Sequence, residues 1–231
     1  MGMMSKTSSA LRRFQNDESG TTLVELAICI SLFLLILFAI LDFGILGYNW
    51  VTAEKGMQIA VRIAAVRPPV CDEVPLVHLS NPGNSNFFKA GTLCSTNGGI
   101  CAQIDKQCLL SEPAPGNASA TATADEIWSK LEVLLPAGAL RSNVLLSYEY
   151  DPRLGFIGGP YIPIITARLV GSEDGDSPNG YGELPFQFVT PLSALAAQAG
   201  ASDVTGIPGT IPFPGIEVTL PAEDMNQGVQ G

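Results

Sequence analysis

Histidine and basic charge are what this chain has least of: one histidine, His78, and twelve lysines and arginines in 231 residues. A single histidine leaves little basis for a Ser-His-Asp arrangement, and no catalytic constellation emerges among the many serines. His78 itself stands between Val77 and Leu79 in a loop-like stretch and reads as structural or solvated. Gly155, Gly158 and Gly159 do not follow a strand and open a helix, so they read as turn glycines rather than a phosphate cradle. Twenty-two acidic residues give a formal net charge of −10. Nucleic-acid binding needs a basic stripe to meet phosphates, and none is present. Neither a metal nor a cofactor is expected.

Cysteine is scarce and unevenly placed. Cys29 lies in an apolar run, where a thiol behaves as a small hydrophobe. Cys71, Cys94, Cys101 and Cys108 follow that run. An even number beyond a membrane span suggests two disulfides in an oxidising compartment, with three pairings open. Zinc is the rival use, but it favours closely spaced pairs, whereas Cys94, Cys101 and Cys108 are spaced by seven.

What is abundant is uninterrupted apolar sequence. Leu26 to Leu41 carries no charge, and after Asp42 the run resumes through Phe43, Tyr48, Trp50 and Val51. At ~1.5 Å per residue the sixteen-residue core gives about 24 Å of helix. Extension to the Tyr48/Trp50 pair exceeds the roughly 30 Å of hydrocarbon in a bilayer. Residues 1–20 hold three basic and two acidic side chains, against nine and twenty in the rest, so the one cationic end precedes the span. That bias is expected of a cytoplasmic flank. Arg12-Arg13 invites comparison with a twin-arginine export signal, yet Asp17-Glu18 follows at once and no small-x-small cleavage pattern closes the run. The apolar helix is therefore expected to be retained.

One helix is expected from about residue 21 to 66, stopped by Pro68-Pro69. Its second half is amphipathic, and Val51, Ile59, Ile63 and Val66 form a stripe that would pack on a globular head or on a neighbour. The expected organisation is a leader at 1–20, the transmembrane helix and stalk at 21–67, a cysteine-bearing loop region at 68–124 and an α+β domain at 125–231. Within that domain a helix is expected over 125–135, capped by Thr123 or Asp125. Strands are expected at 143–150, 162–170, 184–189 and 216–220, with a small helix through Leu195-Ala197. A helix on a small antiparallel sheet is the natural fold. Asn117-Ala118-Ser119 matches a glycosylation acceptor, a three-residue pattern that arises often by chance.

Two carboxylates stand out. Thr22 and Glu25 fit a capping box at a helix start. Asp42, seventeen residues further, lies about 25 Å along the helix, near the opposite membrane face. It reads as a rim carboxylate reaching water, or as a contact to a basic residue of a partner subunit.

Gly20, Thr22-Leu23-Val24 and Glu25, behind a cationic leader and before a span, resemble a type IV prepilin signal. The resemblance implies cleavage between Gly20 and Thr21 by a prepilin peptidase, with Glu25 pairing the new amine of an adjacent subunit. A wider pattern is similar to the TadE/TadG-like family of the tight-adherence (Tad) system. It comprises Leu37 to Gly44 with its acidic-Phe-Gly step, Tyr48-Asn49, the Ala/Arg-rich stretch from Ala60 to Arg67, and Leu184 to Leu192. Leu26 departs from the aromatic more usual after the glutamate. The resemblance implies a minor pilin or pseudopilin, not an enzyme, of a Tad-type pilus. Its partners would be other pilin-like subunits, Tad inner-membrane assembly proteins and the bilayer. Its body would lie in the periplasm of a bacterial inner-membrane protein, or in the assembled fibre. The competing expectation is an unprocessed, single-pass anchored binding or scaffold protein.

Overall fold

A computed structural model describes residues 19–81, 88–176, 180–190, 210–223 and 225. The leader up to residue 18 and the small helix expected through Leu195-Ala197 lie outside the described residues. By internal contacts the chain divides into two units: residues 1–45 with 187–210, and residues 46–186 with 211–231.

The long helix is present as α1, Ser19–Val66, 48 residues. Its first half is apolar on every side: Leu23, Val24, Ile28, Leu32, Phe33 and Ile40 are each at least 59% exposed. Propensity alone does not hold so long a helix in water; a helix apolar all round belongs in a core or a bilayer.

The second half of α1 belongs to the other unit, and its buried face is not the expected one. Ala53, Met57, Ala60, Val61, Ala64 and Ala65 are buried. They recur at helical spacing, and their small side chains let the backbone approach its neighbours closely. Gly56 extends this: a Cβ built there would lie 3.4 Å from Cβ of Leu134. The expected stripe of Val51, Ile59 and Val66 stays exposed, with Ile63 half-buried. The domain is met mostly by alanines, with Met57 and Val61 among them, while Val51, Ile59 and Val66 are left exposed.

The sheet has four antiparallel strands in the order β1-β2-β3-β6. These are β1 (Lys106–Leu109), β2 (Val144–Glu149), β3 (Ile164–Leu169) and β6 (Ile216–Pro221). The central pair is buried on both faces, with Val144, Leu145, Leu146, Tyr148, Ile165 and Ala167 all inside. Strand β6 has one buried residue, Ile216, and then alternates exposed and half-buried positions, as an edge strand does. Thr166 faces Thr219 across β3 and β6, with hydroxyls 3.0 Å apart, and Arg168 pairs with Glu217 in the same register. Two further short strands, β4 (Pro185–Gln187) and β5 (Thr210–Pro212), make a separate two-stranded sheet.

Helix α2 spans Ala118–Leu131, seven residues earlier at its start than expected and shorter at its end. Asn117 caps it, its side chain accepting from the N–H groups of Ser119 and Ala120 at 3.0 and 3.2 Å. The cap is therefore neither Thr123 nor Asp125, which lie inside the helix. The Asn-Ala-Ser triplet is a helix start.

Contacts at the end of α1 fasten it to the domain. The Val70 N–H donates to the Tyr148 hydroxyl at 3.1 Å, Arg67 pairs with Glu126 at 2.9 Å, and the Glu223 N–H reaches the Ala65 carbonyl at 3.0 Å. Disulfides join Cys71 to Cys108 and Cys94 to Cys101. The first ties the segment after α1 to strand β1. That strand falls inside a stretch expected to be loop. Pairing with β2, together with the crosslink, makes a strand of a four-residue run with little propensity of its own. The segments before the Cys94–Cys101 loop meet the β2–β3 connection through bridges of Val77 to Pro160 and Leu93 to Phe156, and the Cys94 N–H donates to the Gly155 carbonyl at 3.2 Å.

Candidate functional site

The functional candidates lie along the first half of α1. Helix is already formed at Ser19, so the Gly20–Thr21 peptide is helical backbone. Thr22 and Glu25 sit within the helix, past its first described residue. Glu25 is exposed on its surface and makes no ion pair among the described residues. It is the one charge between Thr21 and Leu41. A carboxylate flanked by apolar residues on a membrane-length helix costs a few kcal/mol in lipid unless a cation meets it.

Asp42 is placed quite differently. It is fully buried, not a solvated rim carboxylate. Its Oδ1 accepts the backbone N–H groups of Val189 and Thr190 at 3.2 and 3.1 Å, and Oδ2 accepts the Thr190 hydroxyl. Beside it the Phe43 ring meets Phe188 edge-on, with centroids 6.4 Å apart. The acidic-Phe step of the helix and the Phe188-Val189-Thr190 stretch, read as separate pattern elements in the sequence, are two halves of one contact. Three donors on one carboxylate balance its desolvation without a basic partner. The clue in the sequence was the charge itself: an aspartate inside an apolar helix needs donors, and the polar Thr190 supplies them.

In the domain, a cleft is lined by Asp174, Asp176, Glu183, Glu217, Arg168 and Tyr181, with no histidine, cysteine or serine among the described residues of its lining. Arg168 there is already paired with Glu217. This cleft offers no nucleophile–base pair.

The helix and domain define the class: one helix long and apolar enough to cross a membrane, near the N-terminus, followed by a disulfide-bearing α+β domain. A family model described as TadE-like protein matches residues 20–62, which run from the glycine of the candidate junction through the membrane-length helix into its Ala-rich half. Over that segment the chain is similar to TadE-like proteins; the match covers less than half of its length. Neither the curated proteins nor the solved structures contain a match.

Proposed function

We propose that this chain is a minor pilin or pseudopilin of a Tad-type pilus, made with its N-terminus in the cytoplasm and its domain in the periplasm. A prepilin peptidase removes residues 1–20, leaving Thr21 as the new N-terminus. The observation that carries this reading is the bare apolar surface of α1 between Thr21 and Leu41, where Glu25 is the one charge. Such a surface is covered by lipid before assembly and by neighbouring helices after it. Glu25 then pairs with the free amine of an adjacent subunit, a pairing that relieves both charges in an apolar bundle. The exposed Val51, Ile59 and Val66 stripe continues the same surface beyond the membrane and supports packing against a neighbour. Gly20 supports processing in a physical way. Glycine weakens a helix by roughly 1 kcal/mol relative to alanine, which eases the local unwinding a peptidase needs. The disulfides favour an oxidising compartment for the domain.

Substitution Gly20→Ala in a peptidase-competent host tests this reading. The proposal expects the variant to retain its leader, to migrate more slowly and to fail in pilus formation. Unchanged migration and piliation would favour an anchored scaffold that is never processed.

A further inference from the structure

We propose that residues 188–190 are a second membrane contact, held by Asp42 against lipid at the outer edge of the hydrocarbon that α1 crosses. The inference rests on α1 spanning a membrane and is independent of leader cleavage.

Height along the helix comes first. Asp42 lies seventeen residues past Glu25, about 25 Å of helical rise, and Tyr48 and Trp50 lie about 9–12 Å further on. Such an aromatic pair marks the water boundary, which leaves Asp42 on its lipid side. Exposure agrees with that height. Ile40, Leu41 and Phe43 are 66%, 48% and 58% exposed, and Val189, bonded through its N–H to Asp42, is 71% exposed. The Phe43 ring meets Phe188 edge-on, so the apolar surface of the helix continues onto the segment. No charge interrupts it: residues 184–202 contain no Asp, Glu, Lys or Arg, a longer uncharged run than residues 26–41.

Hydrogen bonding explains how non-helical backbone can lie there. In hydrocarbon every backbone donor needs an acceptor within the protein, which excludes irregular segments that lack one. Asp42 meets this demand for the N–H groups of Val189 and Thr190, at 3.2 and 3.1 Å, and for the Thr190 hydroxyl. The segment in turn covers the carboxylate, which is fully buried in the middle of an apolar surface. In water neither partner needs the other, since an aspartate on a helix and the amides of a loop are both hydrated. Their mutual satisfaction is what a low-dielectric setting requires.

The test uses the full-length chain with Cys29→Ser, the other four cysteines being paired, in vesicles of phosphatidylethanolamine and phosphatidylglycerol. A nitroxide is attached in turn at Val189→Cys, at Leu32→Cys within the span and at Val133→Cys, 79% exposed on the domain. Collisions are measured with oxygen, which concentrates in lipid, and with a water-soluble nickel chelate. The oxygen-to-nickel ratio at Val189 should exceed that at Val133 by about 3–10-fold, as burial roughly 5–10 Å into the headgroup and acyl boundary implies. It should stay below the ratio at Leu32. Asp42→Ala should release the segment and bring the Val189 ratio down towards that at Val133, with Leu32 unchanged.

A Val189 ratio equal to that at Val133, beside a lipid-like Leu32, would overturn the proposal and leave the span standing. Water-like ratios at both positions would remove the span, and this contact with it. Few collisions with either reagent at Val189, with spin–spin broadening that vanishes on dilution into unlabelled chain, would assign the surface to a second copy and overturn the lipid contact. So would a Val189 ratio indifferent to Asp42→Ala, because the carboxylate would then not hold the segment.

Discussion

Asp42 and Thr190 stand 148 residues apart in the chain and are joined twice, through the Thr190 backbone N–H and through its hydroxyl. Hydrogen bonds to a charged, buried group are worth about 1.5–3 kcal/mol each. Asp42→Ala should therefore raise amide exchange at Val189 and Thr190 by on the order of 10–100-fold. Asp42→Asn, which keeps one carbonyl acceptor, should give a smaller rise. Hydrogen exchange on the detergent-solubilised chain checks this, and equal protection in all three proteins would contradict it.

The close approach at Gly56 predicts a graded response to side-chain size. A methyl group at 3.4 Å from Leu134 sits at ordinary contact. Gly56→Ala should thus be neutral or stabilising by up to about 1 kcal/mol, through helix propensity. Gly56→Leu must push Leu131 and Leu134 aside and should cost about 1–3 kcal/mol. Chemical unfolding of the two variants separates these outcomes by sign.

Asn117 should behave as a cap. Asn117→Ala is expected to destabilise the domain by about 1 kcal/mol, and Asn117→Asp, which keeps an acceptor for the Ser119 and Ala120 N–H groups, to restore most of it. Thermal unfolding of the pair decides. Equal losses would show that the side chain contributes through packing and not as an acceptor.

Tyr148 supplies a pH dependence. Its hydroxyl is completely buried, and desolvation pushes its pKa up from 10.0 to about 12. The unfolded chain therefore ionises this tyrosine first. Its contribution to stability is fully present below pH 10 and is lost as pH rises towards 12, at about 1.4 kcal/mol per pH unit and roughly 2–3 kcal/mol in all. Tyr148→Phe, starting less stable for want of the Val70 bond, should lose correspondingly less across that window. Unfolding midpoints measured from pH 9 to 12 test it, and parallel decline of the two proteins would contradict it.

What the sequence made legible follows from signal length. The 48-residue helix was plain because sixteen consecutive uncharged residues admit few other readings. Strand β3 was visible as a β-branched run, β2 by its alternation towards Tyr148 and Tyr150, and β6 as a short apolar–polar alternation. Strand β1 was not, because Lys106-Gln107-Cys108-Leu109 acquires its conformation from β2 and from the Cys71 crosslink, both distant in sequence. The start of α2 was hidden because an Ala/Thr run has no apolar periodicity and because Asn117 also fitted a surface triplet. The buried stripe of α1 was misread for a related reason: hydrophobicity ranks Val51 and Ile59 above Ala53 and Ala60, whereas close packing selected the smaller side chains. Among the candidate site residues, Glu25 was singled out by its spacing to Gly20, and the structure adds its exposure on α1. The environment of Asp42 was not, since its donors arrive from the far end of the chain. His78 was read as structural or solvated, and the structure buries it, with Nε2 accepting the Ile162 N–H at 3.2 Å.

Processing between Gly20 and Thr21 is the central claim, and the intact mass of the chain extracted from membranes of a peptidase-competent host tests it most directly. The account predicts a molecule that begins at Thr21 and lacks the mass of the first twenty residues. A membrane-extracted chain that still begins at Met1 would contradict it.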